Sequence, residues 1–262
     1  NKTGGKIMLS VIVLTKNEEK NIVDCLESVL FCDEIIIIDD MSSDRTLDIL
    51  DRYSQDHEKI KIFKRELNRD FSAQRKFGVE KTTYDWVLFV DADERITADL
   101  ANEITEAVTP STKEGGFLIK RVDYMWEKAL THGDTGNIYL LRLFNKTKGS
   151  LKGKVHETWQ TDHDVKRLLN PILHYPHPTI SEFLREINFY TDLRAGELYE
   201  KGVKSGFIRI ILHTKGKFFQ NYFFKMGFLD GTAGLVHALL MSFHSFLVRG
   251  KLYLLWQKKD SA

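Results

Sequence analysis

The segment 86–94 constrains the fold more than any other part of the sequence. Residues 86–90 form a continuous apolar run, which is typical of a strand buried on both faces. The run ends abruptly at Asp91, Asp93 and Glu94. Because Asp91 and Asp93 are two residues apart, their carboxylates point the same way in an extended chain. Such a pair at the end of a parallel strand can hold a divalent cation and substrate phosphates; a solvated turn is the alternative.

Apolar runs alternate with helical patterns over the first 110 or so residues. The predicted strands are 9–14, 34–40, 60–64 and 86–90. Polar clusters follow three of these strands, at Thr15/Asn17/Glu18, Asp39/Asp40 and Asp91/Asp93. This alternation predicts an α/β fold with a mostly parallel sheet, flanked by helices, that binds ligands at the carboxyl ends of its strands.

Polar residues also predict where two helices begin. The run Ser42, Ser43 and Asp44 supplies N-cap chemistry for the second helix, and Thr97 does so for the fourth. No G-x-G-x-x-G follows the first strand, and no P-loop is found, which disfavours dinucleotide binding. We therefore expect phosphates to be bound through a metal and cationic side chains.

Beyond residue 115 the pattern changes, with strands at 116–122 and 138–144 and a helical pattern after Pro178. We predict an α/β domain at 7–178 and a helical extension at 179–262. From residue 201 onward the chain has ten basic and two acidic residues, although its overall net charge is only +1. This asymmetry suggests that the two regions have different partners.

The two cysteines, Cys25 and Cys32, do not suggest a disulfide framework. The sequence opens without a pattern typical of a secretory signal. Both features favour a reduced, cytoplasmic setting.

Several motifs together resemble the family 2 inverting glycosyltransferases of the GT-A fold. They are the runs 10–18 (SVIVLTKNE), 38–44 (IDDMSSD), 74–75 (QR) and 91–93 (DAD). Segments 155–157, 174–175 and 227–231 resemble the subgroup of bacterial lipopolysaccharide-core glucosyltransferases. Met41 departs from the family, which commonly has glycine at that position, and makes the turn atypical.

The resemblance implies a role for each matching residue. Thr15 and Asn17 would line the nucleobase and ribose pocket, with Glu18 nearby. Asp40 would contact the uracil, while Asp39 would support the turn. The remaining roles concern the phosphates: Arg75 would approach the nucleotide, Asp93 would bind a bridging Mn²⁺ or Mg²⁺, and Asp91 would contact the ribose or a metal-bound water.

Three further residues are candidates for the chemistry. Glu157 is our candidate general base, because transfer requires a group that removes the proton of the acceptor hydroxyl; an exposed strand-end acid is the alternative. Asp134, in the loop 131–136, is the second candidate base. His174 is a candidate metal ligand or a capped or core histidine. Glu94 either orients the metal site or begins the next helix.

Aromatic and basic residues alternate in the region after residue 205. Phe218, Phe219, Tyr222, Phe223 and Met226 follow steps of three and four residues, with Lys215, Lys217 and Lys225 at the edges. This pattern suits an in-plane helix on an anionic membrane. The alternatives are helices packed on the catalytic domain or in a homodimer, and a spanning helix at 231–248; nucleic acid is disfavoured, since no recognition motif accompanies the charge.

Together these features predict a metal-dependent inverting glycosyltransferase. It would transfer a sugar from a UDP-sugar to a hydroxyl of a lipid-linked or cell-envelope glycan, at the inner face of the cytoplasmic membrane. The rival hypotheses are a nucleotidyltransferase and a non-catalytic module that binds sugar nucleotides or lipids.

Overall fold

A computed structural model gives the structure of residues 8–68, 70–152, 158–176 and 179–260. The four predicted apolar runs form the parallel strands β1 (Leu9–Thr15), β2 (Glu34–Asp39), β3 (Ile60–Lys64) and β4 (Trp86–Asp91). The connections contain the helices α1 (Ile22–Val29), α2 (Thr46–Asp56) and α3 (Phe71–Lys81). In the sheet these strands lie in the order β3-β2-β1-β4, so the chain reverses its winding direction at β1.

Beyond β4 the chain continues with further strands and one helix. They are β5 (Glu94–Ile96), α4 (Ala98–Ala107), β6 (Gly116–Met125), β7 (Lys128–Leu130), β8 (Ile138–Asn145), β9 (Ser150–Lys152), β10 (Thr158–Gln160), β11 (Val165–Arg167) and β12 (Ile172–His174). The full order is β3-β2-β1-β4-β8-β6-β12-β5. The pairs β4–β8 and β5–β12 are antiparallel. The predicted α/β class is confirmed, with a sheet that is mixed rather than parallel throughout.

Alternate residues of the central strands face two different cores. On one face Leu9, Val11 and Val13 of β1 lie in a cluster with residues of α1 and α4. On the other face Ile12 lies in a cluster with Phe77 of α3. Burial on both faces explains why the strands read as continuous apolar runs.

The start of α2 differs from our prediction. Arg45 occupies the N-cap position and its side chain makes no capping bond. Asp44 instead accepts a hydrogen bond from the Thr46 N–H at 3.0 Å, while Ser42 and Ser43 bond to residues of the preceding loops. The predicted cap at Thr97 is confirmed, since its hydroxyl accepts from the Leu100 N–H.

The chain divides into two compact units. The first contains Asn1–Arg121 and Tyr139–His174, and the second contains Val122–Ile138 and Tyr175–Ala262. The second unit thus includes the segment around β7 as well as the helical C-terminal region. Our division into domains at residues 7–178 and 179–262 stays a prediction.

Three long helices form most of the second unit: α5 (Ile180–Glu200), α6 (Phe207–Phe219) and α7 (Gly231–Asp260). A π-helical turn, Gln220–Phe224, and a short 3-10 helix, Gly227–Asp230, connect α6 to α7. By length and composition alone, Gly227–Lys258 could cross a membrane, and 39% of its most apolar window is buried within the protein. Core helices of soluble proteins meet the same criterion.

The close approach of α3 to β1 at Gly78 leads to a testable prediction about stability. A Cβ atom added to Gly78 of α3 would lie 2.8 Å from Ile12 Cγ2 of β1, whereas one added to Gly196 of α5 would meet no atom within 4 Å. Gly196→Ala should therefore raise the free energy of unfolding by up to about 1 kcal/mol through helix propensity. Gly78→Ala should lower it, because overpacking costs about 1–3 kcal/mol.

Urea denaturation of the two variants, followed by far-UV circular dichroism, compares these effects directly. Equal changes in the free energy of unfolding for Gly78→Ala and Gly196→Ala would show that α3 does not approach β1 as closely as the structure indicates.

Candidate functional site

Three polar clusters meet at the carboxyl ends of adjacent strands, as the sequence predicts. In the sheet register Thr15 of β1 is the partner of Asp39 of β2, and Leu14 of β1 is the partner of Asp91 of β4. The backbone continues this contact beyond the strands, since the Asp40 N–H donates to the Thr15 carbonyl at 2.9 Å. The three clusters therefore form one continuous polar edge.

The loops after β1 and β2 are held together by side-chain hydrogen bonds. The Asn17 N–H donates to Ser42 Oγ at 2.9 Å, and Asn17 Oδ1 accepts from the Ser43 N–H at 2.8 Å. Asn17 and Met41 both adopt left-handed backbone conformations, with φ of 56° and 53°. Glycine takes this conformation freely, whereas a side chain such as that of Met41 costs about 1–2 kcal/mol. The atypical Met41 therefore keeps the turn but adds strain to it.

The two acids after β2 are engaged within the protein. Asp39 is fully buried, and its carboxylate accepts from the Ser42 N–H at 2.8 Å and from the Ser42 hydroxyl. Asp40 accepts from the Leu67 N–H at 2.7 Å and pairs with Lys16 at 2.6 Å. Asp39 thus supports the turn, and Asp40 connects that turn to the chain after β3.

A buried arginine joins the acids at the end of β4. One guanidinium nitrogen of Arg142, on β8, donates to Asp91 Oδ2 at 2.6 Å and to Glu94 Oε1 at 2.8 Å. The other Glu94 oxygen accepts from the Asp91 N–H at 2.9 Å. Arg75 of α3 approaches Asp91 at 3.5 Å and lies over the ring of Phe89. Glu94 begins β5 and is fully buried, so the expectation that it might begin the next helix is wrong.

In this arrangement the pKa values of Asp91 and Glu94 shift in opposite directions. Burial favours the neutral form of Asp91, but Arg142 and Arg75 outweigh burial and hold its pKa below the ordinary value. Burial, with a smaller contribution from Asp91, raises the pKa of Glu94 despite the same arginine. Asp91 is therefore the carboxylate that stays ionised, while Glu94 is more easily protonated.

Asp93 and His174 face each other beside this cluster. His174 Nε2 lies 3.2 Å from Asp93 Oδ2, and both side chains are partly accessible. Strand pairing positions the histidine, since His174 of β12 is the register partner of Glu94 in β5. The candidate metal ligand thus lies against the acidic pair, although 81 positions separate the two residues in the sequence.

The donor set fits a Mn²⁺ or Mg²⁺ ion that is completed by its substrate. Among the residues that the structure describes, no group of three or more His, Cys, Asp or Glu side chains is arranged to hold a metal. Asp91 has its oxygens directed to Arg142 and Arg75, and the donors that would hold the ion are Asp93 and His174, which face each other. Mg²⁺ is commonly bound by one or two carboxylates together with substrate phosphates and water, so two protein donors are sufficient.

The remaining candidates are Glu18, Asp134 and Glu157. Glu18 caps the start of α1, where its carbonyl accepts from the Asn21 and Ile22 N–H groups. Asp134 belongs to the second unit, and its carboxylate pairs with Lys217 at 2.5 Å and Lys225 at 2.6 Å. Glu157 lies outside the described residues.

The two lysines decide the protonation of Asp134. Burial opposes ionisation, but hydrogen bonds from Lys217 and Lys225 lower the pKa of Asp134 to about 2. Such a carboxylate binds protons weakly at neutral pH, which disfavours it as a general base.

Arg142 is the site residue that we did not predict from the sequence. It is the single charged residue of β8, whose other residues are mostly apolar. A buried arginine requires an anionic partner. That rule, applied to a lone arginine within an apolar strand, points to the acids at the end of a neighbouring strand.

Comparison with known proteins assigns the family. The model of the family described as "Glycosyl transferase family 2" matches residues 10–188 of this chain. The lipopolysaccharide core biosynthesis glycosyltransferase LpsC of Rhizobium meliloti (strain 1021) is 28% identical over 251 residues, which is 95% of this chain and 93% of that protein. An uncharacterized glycosyltransferase of Rickettsia typhi is 28% identical over 261 residues, covering 93% of this chain and 86% of that protein.

Solved structures were compared as well. The crystal structure of S. aureus TarS 1–349 in complex with UDP-GlcNAc has a TM-score of 0.46 and 15% sequence identity, covering 97% of this chain and 92% of that one. The crystal structure of GalNAc-T7 with UDP, GalNAc and Mn²⁺ has a TM-score of 0.38 and 19% identity, covering 64% of this chain and 31% of that one.

The buried cluster around Arg142 predicts a large and pH-dependent loss of stability on substitution. Arg142→Met should lower the free energy of unfolding by about 3–5 kcal/mol at pH 7, because it leaves buried carboxylates without their counter-ion. The pKa of Asp91 is lowered in the folded state. Its contribution is therefore present above its unfolded pKa of about 3.9 and is lost as the pH falls.

Guanidinium denaturation between pH 3.5 and 8 measures this difference. The gap between parent and Arg142→Met should narrow toward pH 3.5, while the exposed control Arg52→Met should stay within about 0.5 kcal/mol of the parent throughout. A small, pH-independent effect of Arg142→Met would contradict the role given to the cluster.

Proposed function

This chain belongs to glycosyl transferase family 2, and we propose that it moves a sugar from a UDP-sugar to a hydroxyl group of a lipid-linked or cell-envelope glycan, with inversion. One observation carries the proposal. The polar ends of β1, β2 and β4 are adjacent, and Asp93 lies 3.2 Å from His174 at the same edge of the sheet. Ligands of doubly wound sheets bind at this edge.

The nucleoside would bind over the ends of β1 and β2. Thr15 supports this, because its hydroxyl oxygen is buried and has no hydrogen-bond partner within the described part of the chain. Asp40 would contact the uracil, with Lys16 moving aside, since the lysine side chain is 58% exposed. Asn17 would contact the ribose from the loop that Ser42 and Ser43 hold in place.

The diphosphate would lie toward Asp93, His174 and Arg75. A divalent cation bound by Asp93 and His174 would act as a Lewis acid and neutralise the charge that develops on the leaving diphosphate. Asp91 stays ionised beside Arg142 and so keeps the site attractive to a cation. Arg75, on α3, lies 3.5 Å from Asp91 and would approach the nucleotide from the side of α3.

The acceptor hydroxyl must lose a proton during transfer, and Glu157 is the base that we propose. The second candidate, Asp134, is less suited, because its pKa of about 2 makes it a weak proton acceptor at neutral pH. If the base and the leaving group lie on opposite faces of the sugar, transfer inverts the anomeric centre.

Two observations support the proposed acceptor and location. The relative in Rhizobium meliloti is named for lipopolysaccharide core biosynthesis, which supports a cell-envelope glycan as acceptor. Cys25 and Cys32 are free and buried, which supports a reducing compartment such as the cytoplasm.

A thermal-shift panel of UDP-, GDP-, dTDP- and CMP-sugars, each with Mn²⁺ or EDTA, tests the donor. UDP-sugars with Mn²⁺ should stabilise the protein most, by about 2.7 kcal/mol at a concentration 100 times Kd. Slow UDP release in the absence of acceptor should accompany binding. Binding without UDP release would indicate a non-catalytic module, and pyrophosphate release from UTP and a sugar phosphate would indicate a nucleotidyltransferase.

We predict that metal and nucleotide bind together through Asp93. Asp93→Asn should reduce UDP affinity in Mn²⁺ to the value measured in EDTA, because the neutral amide holds the cation poorly. Its fold should be retained, since the Asp93 side chain is partly exposed.

Isothermal titration calorimetry of UDP with Mn²⁺ and with EDTA measures this effect. Asp51→Asn, an exposed position on α2, is the matched control and should behave like the parent. Metal-independent UDP binding by the parent would rule out the proposed role of Asp93.

We predict that Glu157→Gln retains UDP-sugar affinity and loses turnover by about 10²–10⁴-fold, the usual contribution of a positioned base. Glu106→Gln, at an exposed position of α4, serves as the control. UDP release measured in the presence of an envelope glycan fraction reports the turnover. Near-normal turnover of Glu157→Gln would assign the base to another residue.

A further inference from the structure

Helix α6 and the turn that follows it carry an exposed apolar surface. We define the α6 face as Phe207, Ile208, Ile211, Leu212, Phe219 and Phe223. Between 39% and 78% of each of these residues is accessible to solvent. Every residue of α6 is exposed or half-buried, which is unusual for a helix with so many large apolar side chains.

The spacing of these residues creates a true helical face. Ile208, Leu212 and Phe219 recur at four and seven residues, so their side chains lie along one side of the helix. The half-buried residues occur on another side, where the Thr214 carbonyl accepts a hydrogen bond from Ser242 Oγ of α7 at 2.7 Å. One side of α6 thus packs on α7, while the α6 face remains accessible.

Positive charge accompanies the α6 face, and within the described part of the chain no acid pairs with Arg209 or Lys215. Arg209 and Lys215 are exposed on α6. Burial, together with the repulsion of nearby Arg209 and Arg194, lowers the pKa of Arg249 on α7, as expected where like charges accumulate. Between residues 201 and 259 the only acid is Asp230, which is buried and bonded to Thr131 and His132.

The lysines expected at the lipid edge are only partly available. Lys217 and Lys225 pair with Asp134, so their charge is neutralised within the protein, and their place at the edge of the apolar face stays a prediction. Phe218 and Tyr222 also lie in half-buried positions, where their rings stack on each other. Arg209 and Lys215 are the exposed cations of α6 itself.

We propose that the α6 face lies in the plane of an anionic lipid bilayer, with its apolar side chains below the headgroups and Arg209 and Lys215 among the lipid phosphates. An α-helix of 13 residues is about 20 Å long, which is sufficient for an interfacial anchor. The long stems of arginine and lysine cover apolar surface while their charged groups stay in contact with water and phosphate.

Charge favours the bilayer over a second copy of this chain. A symmetric homodimer would place the α6 face against itself and bring Arg209 and Lys215 close to their own copies. No acid of the segment 201–259 other than the buried Asp230 could neutralise them. An anionic membrane supplies both the apolar layer and the opposite charge.

Vesicle co-sedimentation of the full chain tests the proposal without donor or acceptor, and so independently of sugar transfer. The protein should bind vesicles of phosphatidylcholine with 30% phosphatidylglycerol, bind pure phosphatidylcholine at least tenfold less, and dissociate at 1 M NaCl. Binding that is equal on both lipids, or that resists high salt as a spanning helix would, overturns the proposal.

Two pairs of variants locate the surface. Leu212→Asp with Phe219→Asp should lower the partition coefficient at least tenfold, while Leu169→Asp, an 89% exposed residue of the first unit, should change it less than twofold. Arg209→Glu with Lys215→Glu should reduce binding to anionic vesicles at least fivefold per residue, whereas Arg52→Glu should not.

Circular dichroism and light scattering complete the test. The variants should retain the parent's helical signal, because the substituted side chains are exposed. Parent-like binding by folded α6 variants overturns the proposal. A parent dimer that Leu212→Asp converts to a monomer would instead assign the α6 face to a second copy.

Discussion

The buried contact of Arg142 with Asp91 and Glu94 holds the acidic end of β4 in place. It joins three strands, since Arg142 lies on β8, Asp91 ends β4 and Glu94 begins β5. Removing these charges from water is costly, and the cost is offset only because each carboxylate also meets a hydrogen-bond donor. Asp91 is directed to the arginines, whereas Asp93 faces His174. The two neighbouring acids therefore have different partners: Asp91 contacts the arginines, and Asp93 contacts His174.

The two acids at the end of β2 also have different partners. Asp39 is buried and holds its own turn, whereas Asp40 contacts the backbone of Leu67 and the exposed side chain of Lys16. A left-handed residue at Met41 makes this turn possible, at an energetic cost that glycine would avoid. Each strand end thus has one acid that supports the fold and a second acid better placed to meet a ligand.

Local patterns predicted much of this arrangement, and long-range contacts account for what they missed. Apolar runs and strand–helix alternation were sufficient to predict β1–β4 and the polar edge. Burial on both faces makes β1, β2 and β4 continuous apolar runs in the sequence, whereas β3 is largely accessible and was predicted from the alternation. The predicted capping run of α2 is right only at Asp44, since Ser42 bonds to Asp39 at the end of β2 and Ser43 to Asn17 in the loop after β1. Strand pairing brings Arg142 and His174 to the acids, and no local pattern encodes that pairing.

In the second unit, Asp134 neutralises part of the basic charge. Asp134 neutralises Lys217 and Lys225, and Asp230 holds the backbone and side chains of Thr131 and His132. Through these contacts, both acids hold the segment around residues 131–134 against α6 and the region between α6 and α7. Positive charge consequently remains unmatched on the outer part of α6, beside its exposed apolar residues. Ion pairs with Asp134 thus neutralise Lys217 and Lys225, while Arg209 and Lys215 keep their charge beside the exposed apolar residues of α6.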